Sequence, residues 1–556
     1  MFRPFANALK REFQGYSIAL LRKDIMAGVT VAAVALPLAL AFAVSSGVDA
    51  SAGLITAILS GFIMSGLSGG YYQISGPTGT MAAILLTVGA RYGIQGVFMV
   101  TFLAGFWRLL AGIFRLGKLT SFIPAPVVTG FTSGIAIIIG FGQVDNFFGV
   151  HSEGVNIIER FFSYGRLGFS PEVTVVCIGL FVIVFMMCFP AKWSAIVPSS
   201  LLAIVIATAV SSALGLDVAT VGAMPKTLIP ENHFMLSSIR LEFIKQLFLP
   251  SLSIAALGMI ETLLCGASAG QMTGVRLDRN QELIAQGVGN MIIPFFGGIP
   301  ATAALARTSM AIKSGAQTRL TGVFHGVGLL ICMFGLGSLM AKIPLAALAG
   351  VLMVTAWRMN DWEDIRYIFA HKFKGATLEF VVTMAATIIF DLTVAILLGV
   401  LIGLLFLVTR LSRIEIHYED VDMSRMSVTD STLCQRYSNA IVVYITGPVI
   451  FANTESVSDI ALHTKNRDTV LFSMRGVSNI DISGVQTLMG LLEQYRRDGV
   501  DVAFCGLPEA AMSMMRRSGM DTMVGKENFY WSVERALLTN RPAPPCTIPR
   551  TAIEDE

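Results

Sequence analysis

Ser75-Gly76-Pro77-Thr78-Gly79-Thr80-Met81-Ala82-Ala83 and Gly297-Gly298-Ile299-Pro300-Ala301-Thr302-Ala303-Ala304 are two proline-broken, small-residue stretches that decide how this chain is read. Each opens an apolar segment, at about 78–90 and about 301–312, that is too short for a helical span of about 20 residues. Their prolines, Pro77 and Pro300, are 223 residues apart, and the same offset carries Pro37 to Ile260, beside Glu261. An interrupted span followed by a half-helix is therefore predicted twice, in repeats over 24–214 and 250–410. Paired interrupted segments in two halves point to an inverted-repeat transporter with a midplane site. The competing reading is that Gly and Pro are simply frequent in membrane helices.

The surrounding composition agrees with a membrane setting. The chain has 556 residues, 54% hydrophobic and 14% charged, with a mean hydropathy of +0.69. A soluble protein carries about 25% charged residues, so an ordinary cytosolic enzyme is excluded. Residues 411–556 hold 14 Lys/Arg and 19 Asp/Glu, leaving 26 and 18 for the first 410. The first part is too apolar for water, and the second reads as a soluble domain. About fourteen apolar segments can be drawn between 25 and 410, the two half-spans included. Basic residues cluster in alternate loops, at Arg115 and Lys118, Lys192, Arg276 and Arg279, Lys313 and Arg319, and Arg358 through Lys374. By the positive-inside rule both termini are cytoplasmic. The run from Ile25 to Val44 exceeds a signal-peptide core and reads as a first span. The domains expected are a cytoplasmic segment 1–23, a transport domain 24–410, a linker 411–435, a soluble domain 436–545 and a tail 546–556.

A half-helix that starts inside a bilayer leaves its first N–H groups unpaired and places roughly half a positive charge there. Two such N-termini facing one another would bind an anion. Gly76, Pro77, Thr78, Gly79 and Thr80 on one side, and Pro300, Ala301, Thr302 and Ala303 on the other, suit that role. Glycine admits close approach, proline is tolerated at a helix start, and threonine adds hydroxyls. The same small residues would also serve tight helix packing. Glu261 is the one acidic residue in 251–271, and an intramembrane carboxylate is by default a functional candidate. It is positioned to take up a proton or help hold Na⁺, or else it is a structural carboxylate at a helix dipole. Arg307 would attract anions or pair with Glu261, or else snorkel to the surface. Gln73 and Asn290 are weaker candidates.

Other signals exclude alternatives. Gly112 to Leu119 imitates a phosphate-binding loop but ends in Leu and follows a membrane helix. The seven cysteines, Cys177, Cys188, Cys265, Cys332, Cys434, Cys505 and Cys546, form no CxxC pair, and the six histidines form no metal-ligand spacing. No metal, cofactor, nucleic-acid partner or enzymatic constellation is expected, and Asp391 reads as a solvated loop carboxylate. In the tail, 441–446, 469–473 and 501–505 read as strands, and 483–497 and 509–517 as helices, which makes a small α/β sandwich.

These stretches, with Asp24 to Thr30, Leu36 to Ala39, Pro124 to Gly134, Gly258 to Cys265 and Gln286 to Asn290, resemble the SulP anion permeases. That family comprises bacterial relatives of the plant sulfate transporters and of pendrin and prestin. Val477-Ser478-Asn479-Ile480-Asp481-Ile482-Ser483-Gly484 is similar to the signature of a STAS domain, the soluble module that ends these permeases. The resemblance implies a seven-plus-seven inverted repeat split into core and gate, and a multi-pass homodimer in lipid at the bacterial inner membrane. It places the anion around Thr78 and Ala301–Ala303, with Arg307 lining the site and Glu261 and Cys265 at the coupling-ion position. Bicarbonate-transporting members carry Asp and Thr at those two positions. The run Ile260 to Cys265 with Met272 to Gly274 is more like the C4-dicarboxylate member.

The function expected is proton-coupled uptake of a dicarboxylate or related anion by alternating access. The alternatives are sulfate or bicarbonate transport with H⁺ or Na⁺, an anion channel or motor, and an anion sensor signalling through the STAS domain. Ser483 is either a phosphorylation site or an N-cap, and the STAS domain is expected to have a cytoplasmic partner.

Overall fold

A computed structural model describes residues 2–118, 124–154, 157–190, 198–222, 224, 227–235, 241–390, 392–422 and 437–539. Lys192, Lys226, Arg240, Asp391, Cys434, Cys546, linker residues 423–435 and the tail 546–556 lie outside the described residues. The chain forms two units, Met1–Gly403 and Leu404–Glu556.

In the first half of the membrane unit come α1 (Phe2–Glu12), α2 (Ile18–Ser45), α3 (Ala50–Leu67), β1 (Ser75–Gly76), α4 (Gly79–Ile113), α5 (Ala125–Gly142), α6 (Val144–Phe148), α7 (Ile157–Leu167), α8 (Val173–Cys188) and α9 (Ser199–Ala213). The second half holds α10 (Leu241–Thr273), α11 (Arg279–Ile292), β2 (Thr302–Ala303), α12 (Leu305–Lys313), α13 (Leu320–Gly335), α14 (Gly337–Met340), α15 (Leu345–Met359), α16 (Trp362–Ala370), α17 (Lys374–Ile389) and α18 (Leu392–Leu411). The succession of two helices, a two-residue strand and a half-helix thus occurs twice. Among the described residues, five helices are long and apolar enough to cross a membrane, within Ile18–Ser45, Ala50–Leu67, Ile84–Ile113, Ala125–Phe148 and Glu242–Thr273.

The expected interruptions at Pro37 and Ile260 are absent. Helix α2 runs unbroken through Pro37, and α10 is continuous at Ile260. A proline in a membrane helix is tolerated because neighbours re-satisfy the freed backbone group. A break does fall at Gly93, just past the half-span expected at about 78–90: its φ of 67° and ψ of −173° divide α4 into a half-helix and a following span. A residue with a Cβ is strained at that φ. The second half-helix also differs from expectation: it begins at Leu305, while Ala301–Ala303 is extended. Close packing fixes both halves together. A Cβ on Gly105 of α4 would meet the main chain of Gly287, Asn290 and Met291 of α11 within 2.8 Å.

The second unit is a five-stranded sheet in the order β3 (Glu415–Asp420), β4 (Ala440–Thr446), β5 (Thr469–Gly476), β6 (Asp501–Cys505) and β7 (Phe529–Tyr530). β3 pairs antiparallel with β4, and the remaining neighbours are parallel. The linker expected at 411–435 therefore contains an edge strand. Alternation along β4 sends Ile441, Val443 and Ile445 to one face with Leu488, Leu491 and Met515, and Ala440 and Val442 to the other with Cys505 and Leu537. Burial pushes the Cys505 thiol up to about 12. The helix expected to start at Ser483 spans Ile482–Arg497, and its N-cap is Asp481, whose carboxylate accepts from the Gly484 N–H at 2.8 Å. Ser483 is therefore not the cap.

Candidate functional site

Two extended dipeptides form the centre of the membrane unit. β1 and β2 pair antiparallel, with Ser75 opposite Ala303 and Gly76 opposite Thr302. Because the pairing is antiparallel, the chain leaves this ladder in opposite directions. It enters α4 after Thr78 and α12 after Ala304. Neither N-cap residue, Thr78 or Ala304, makes a side-chain capping hydrogen bond. The first N–H groups of both helices are left for another acceptor.

The ladder is held by a frame of buried polar groups. Asn290 accepts from Ala301 N–H at 2.8 Å and donates to Ala301 C=O at 2.9 Å. The hydroxyls of Thr262 and Thr302 are 2.6 Å apart, and Ala303 N–H donates to Thr262 Oγ1 at 3.3 Å. Thr56 accepts from Ile299 N–H at 2.8 Å, beside Pro300. On the other strand, Gln286 donates to Ser75 Oγ at 2.8 Å and to the Glu282 carboxylate at 3.0 Å. Gln73 donates to Thr262 C=O at 2.8 Å. These contacts keep Ala301–Ala303 out of the helix, so Ala301, Thr302 and Ala303 have their polar groups committed to the frame.

Two arginines cross the ladder in opposite senses. Arg307, in the first turn of α12 and 2% exposed, donates from Nη2 to the Pro77 C=O at 2.8 Å, at the mouth of the other half-helix. Its guanidinium lies so close to Gly76 that a Cβ there would overlap it. Its Nη1 is buried with no hydrogen-bond partner. Arg108, 0% exposed on the second part of α4, donates to Ala301 C=O at 2.8 Å, Ile254 C=O at 2.7 Å and Ala255 C=O at 3.4 Å. Only a glycine at 258 leaves room for it. Arg108 was missed in the sequence, although a lone arginine in an apolar run meets the same criterion that singled out Glu261.

Glu261 faces the start of α4 from α10. Its Oε2 is 3.0 Å from Thr80 Oγ1 and 3.2 Å from Thr78 Oγ1, and the two hydroxyls are 2.8 Å apart. Gly79 begins the helix between them, packed against Phe42 and Ile139. Cys265, one turn further along α10, donates to Thr308 Oγ1 at 3.2 Å and ties α10 to α12. Hydrogen bonds thus link Thr78 and Thr80 to Glu261, Arg307 to Pro77 and Cys265 to Thr308, while Ser483 belongs to the second unit. Among the described residues, no group of three His, Cys, Asp or Glu side chains is arranged to hold a metal ion.

Residues 21–386 match the sulfate permease family, and residues 431–536 match the STAS domain. The chain belongs to the sulfate permease family. A relative named "Putative sulfate transporter YvdB" from Bacillus subtilis is 33% identical over 533 residues, covering 93% of this chain and 97% of that protein. The transmembrane domain of a cyanobacterial bicarbonate transporter, BicA, superposes with a TM-score of 0.64 at 28% identity, over 70% of this chain and 98% of its own. The murine anion transporter Slc26a9, in an inward-facing state, superposes with a TM-score of 0.81 over 94% of this chain and 92% of its own. At 18% identity that last likeness concerns the fold alone. This sulfate permease family chain therefore has a helical membrane-transporter fold with a separate C-terminal STAS domain.

Proposed function

We propose that the chain is a secondary active transporter of a small oxyanion, which it binds between the two half-helix N-termini and carries by alternating access. The observation that carries this reading is Arg307 Nη1, a cationic N–H donor buried without a partner beside two uncapped helix starts. A buried donor left unpaired costs about 1–3 kcal/mol, more for a charged group, and an anion seated there removes that cost. Gly76, Pro77, Thr78 and Gly79 form one wall of the site. Arg307 and the N-terminal amides of α12 form the other, with Ala301–Ala303 as its rigid support.

Glu261 is the coupling residue in this reading. Three oxygen contacts join Thr78, Thr80 and Glu261, but the two hydroxyls carry only two hydrogens. A proton on Glu261 turns the third contact into a hydrogen bond, which supports H⁺ as the co-substrate. The same three oxygens also suit Na⁺. The resemblance of Ile260 to Cys265 and Met272 to Gly274 to the C4-dicarboxylate member is the ground for a C4 dicarboxylate as substrate, while sulfate and bicarbonate are the anions in the names of the relatives YvdB and BicA. Uptake of labelled succinate, sulfate and bicarbonate into proteoliposomes under imposed H⁺ and Na⁺ gradients separates these possibilities. Glu261→Gln is expected to keep anion binding and lose acceleration by an inward proton gradient. Unchanged acceleration in that variant removes Glu261 from the coupling step.

A further inference from the structure

Given Arg307 as the donor to the anion, the reading on which this rests, we propose that Glu12 is a positioning residue for the site. It acts through Arg319 and the half-helix α12 on the Arg307 guanidinium. Among the described side chains of α1, Glu12 is the one that is buried; Phe5 and Leu9 are half-buried and the rest are exposed. The helix therefore docks through a charge, although a buried carboxylate is unfavourable unless it is paired. A buried ion pair is a poor source of net stability, and its best-attested use is to fix register.

The partner of Glu12 is the loop that ends α12. One carboxylate oxygen accepts from the Arg319 main-chain N–H and the other from Arg319 Nε, both at 2.7 Å, and both side chains are buried. Phe5 lies against the same guanidinium, its ring centroid 5.2 Å away. The two residues before Arg319 are held as well. The Asp24 carboxylate accepts from the main-chain N–H groups of Gln317 and Thr318 at 2.7 and 3.1 Å, and from the Tyr16 hydroxyl at 2.8 Å. Helix α12 has only nine residues, so about 9 Å of helix rise separates Arg307 from its last residue, Lys313. A helix this short, clamped at its C-terminal end, carries a displacement of that end to Arg307. A second route reaches the other strand of the ladder. Arg319 Nη1 donates to the Gly66 and Ser68 carbonyls at 3.1 and 3.2 Å, and the Ser68 hydroxyl donates to Glu282 at 2.6 Å. Gln286 then bridges Glu282 and Ser75 Oγ, at 3.0 and 2.8 Å. Glu12 thus begins a chain of bonded residues that ends on β1, where Gly76 lies against the Arg307 guanidinium.

The test is calorimetric titration of the full chain in detergent with sulfate, succinate and bicarbonate, arranged as a double-substitution cycle. Glu12→Gln keeps the side-chain shape and removes the charge. Coupling through a network of this kind predicts anion affinity about 3- to 10-fold weaker in that variant. In the Arg307→Gln background the same substitution should change affinity less than about twofold, because its effect passes through Arg307. A merely structural contact would give the same loss in both backgrounds. Tyr16→Phe removes one hydrogen bond from Asp24 and leaves Glu12 in place, which makes it a milder second variant. It should weaken affinity about twofold in the parent and leave it unchanged beside Arg307→Gln. Parental affinity in Glu12→Gln and Tyr16→Phe while Arg307→Gln is weakened, or equal losses in both backgrounds, overturns this inference alone. Parental affinity in Arg307→Gln overturns the proposed function with it.

Discussion

The two halves of the membrane unit meet through reciprocal arginines that have different freedom. Arg108 of the first half reaches Ala301 C=O in the second, and Arg307 of the second reaches Pro77 C=O in the first. Each guanidinium lies against a glycine, Gly258 and Gly76 respectively. Arg108 spends its donors on three backbone carbonyls and acts as a strut. Arg307 makes one such bond and keeps Nη1 open. Their neighbours differ in the same way. The helix start near Arg307's target carries two threonines facing Glu261, whereas the segment held by Arg108 is locked to Asn290. In the proposed reading, one arginine builds the site and the other serves the ligand.

Substitutions can break this contrast. The largest expected effect is on stability: Arg108→Ala removes three charge-assisted hydrogen bonds, each worth about 1.5–3 kcal/mol. Its thermal midpoint in detergent should fall sharply, with folded yield falling too; a normal midpoint would show that Arg108 is not a strut. Gly76→Ala should do the reverse. The three atoms nearest the new Cβ all belong to the end of the Arg307 side chain, so the protein should fold normally while the guanidinium is displaced. Uptake at subsaturating anion should drop about tenfold, the value of one weakened charged hydrogen bond, and unchanged uptake would mean that guanidinium placement is immaterial. The smallest effect lies in the STAS unit. Asp481→Ala should destabilise it by about 1 kcal/mol through loss of the helix cap, measured as a shift in its unfolding transition, while Ser483→Ala should leave that transition in place.

The sequence located the two irregular segments better than it located their joints. Proline and glycine at 76–79 and 297–300 marked where backbone is irregular inside the membrane, and charge in an apolar setting marked Glu261 and Arg307. Pro37 misled because a proline need not break a membrane helix, whereas the break at Gly93 falls at the end of the half-span that its sequence marks. The pairing of Ser75–Gly76 with Thr302–Ala303 has no sequence signature, since two residues cannot display a strand's alternation. The helix start expected near Ala301 moved to Leu305 because Asn290 and Thr262, distant in sequence, hold the intervening residues extended. In the second unit, Glu415–Asp420 was hidden by its charge: as an edge strand, it is only half covered.

Anion binding to Arg307→Gln tests the central claim most directly. Titration calorimetry of the purified parent protein with the transported anion sets the reference, and thermal unfolding confirms that the variant is folded. Loss of a charged donor to the ligand predicts affinity about 10–100-fold weaker, with a thermal midpoint that falls far less than in Arg108→Ala because one backbone bond is lost instead of three. Parental affinity in the folded variant would contradict the account, because the open arm of Arg307 would then have no part in holding the anion.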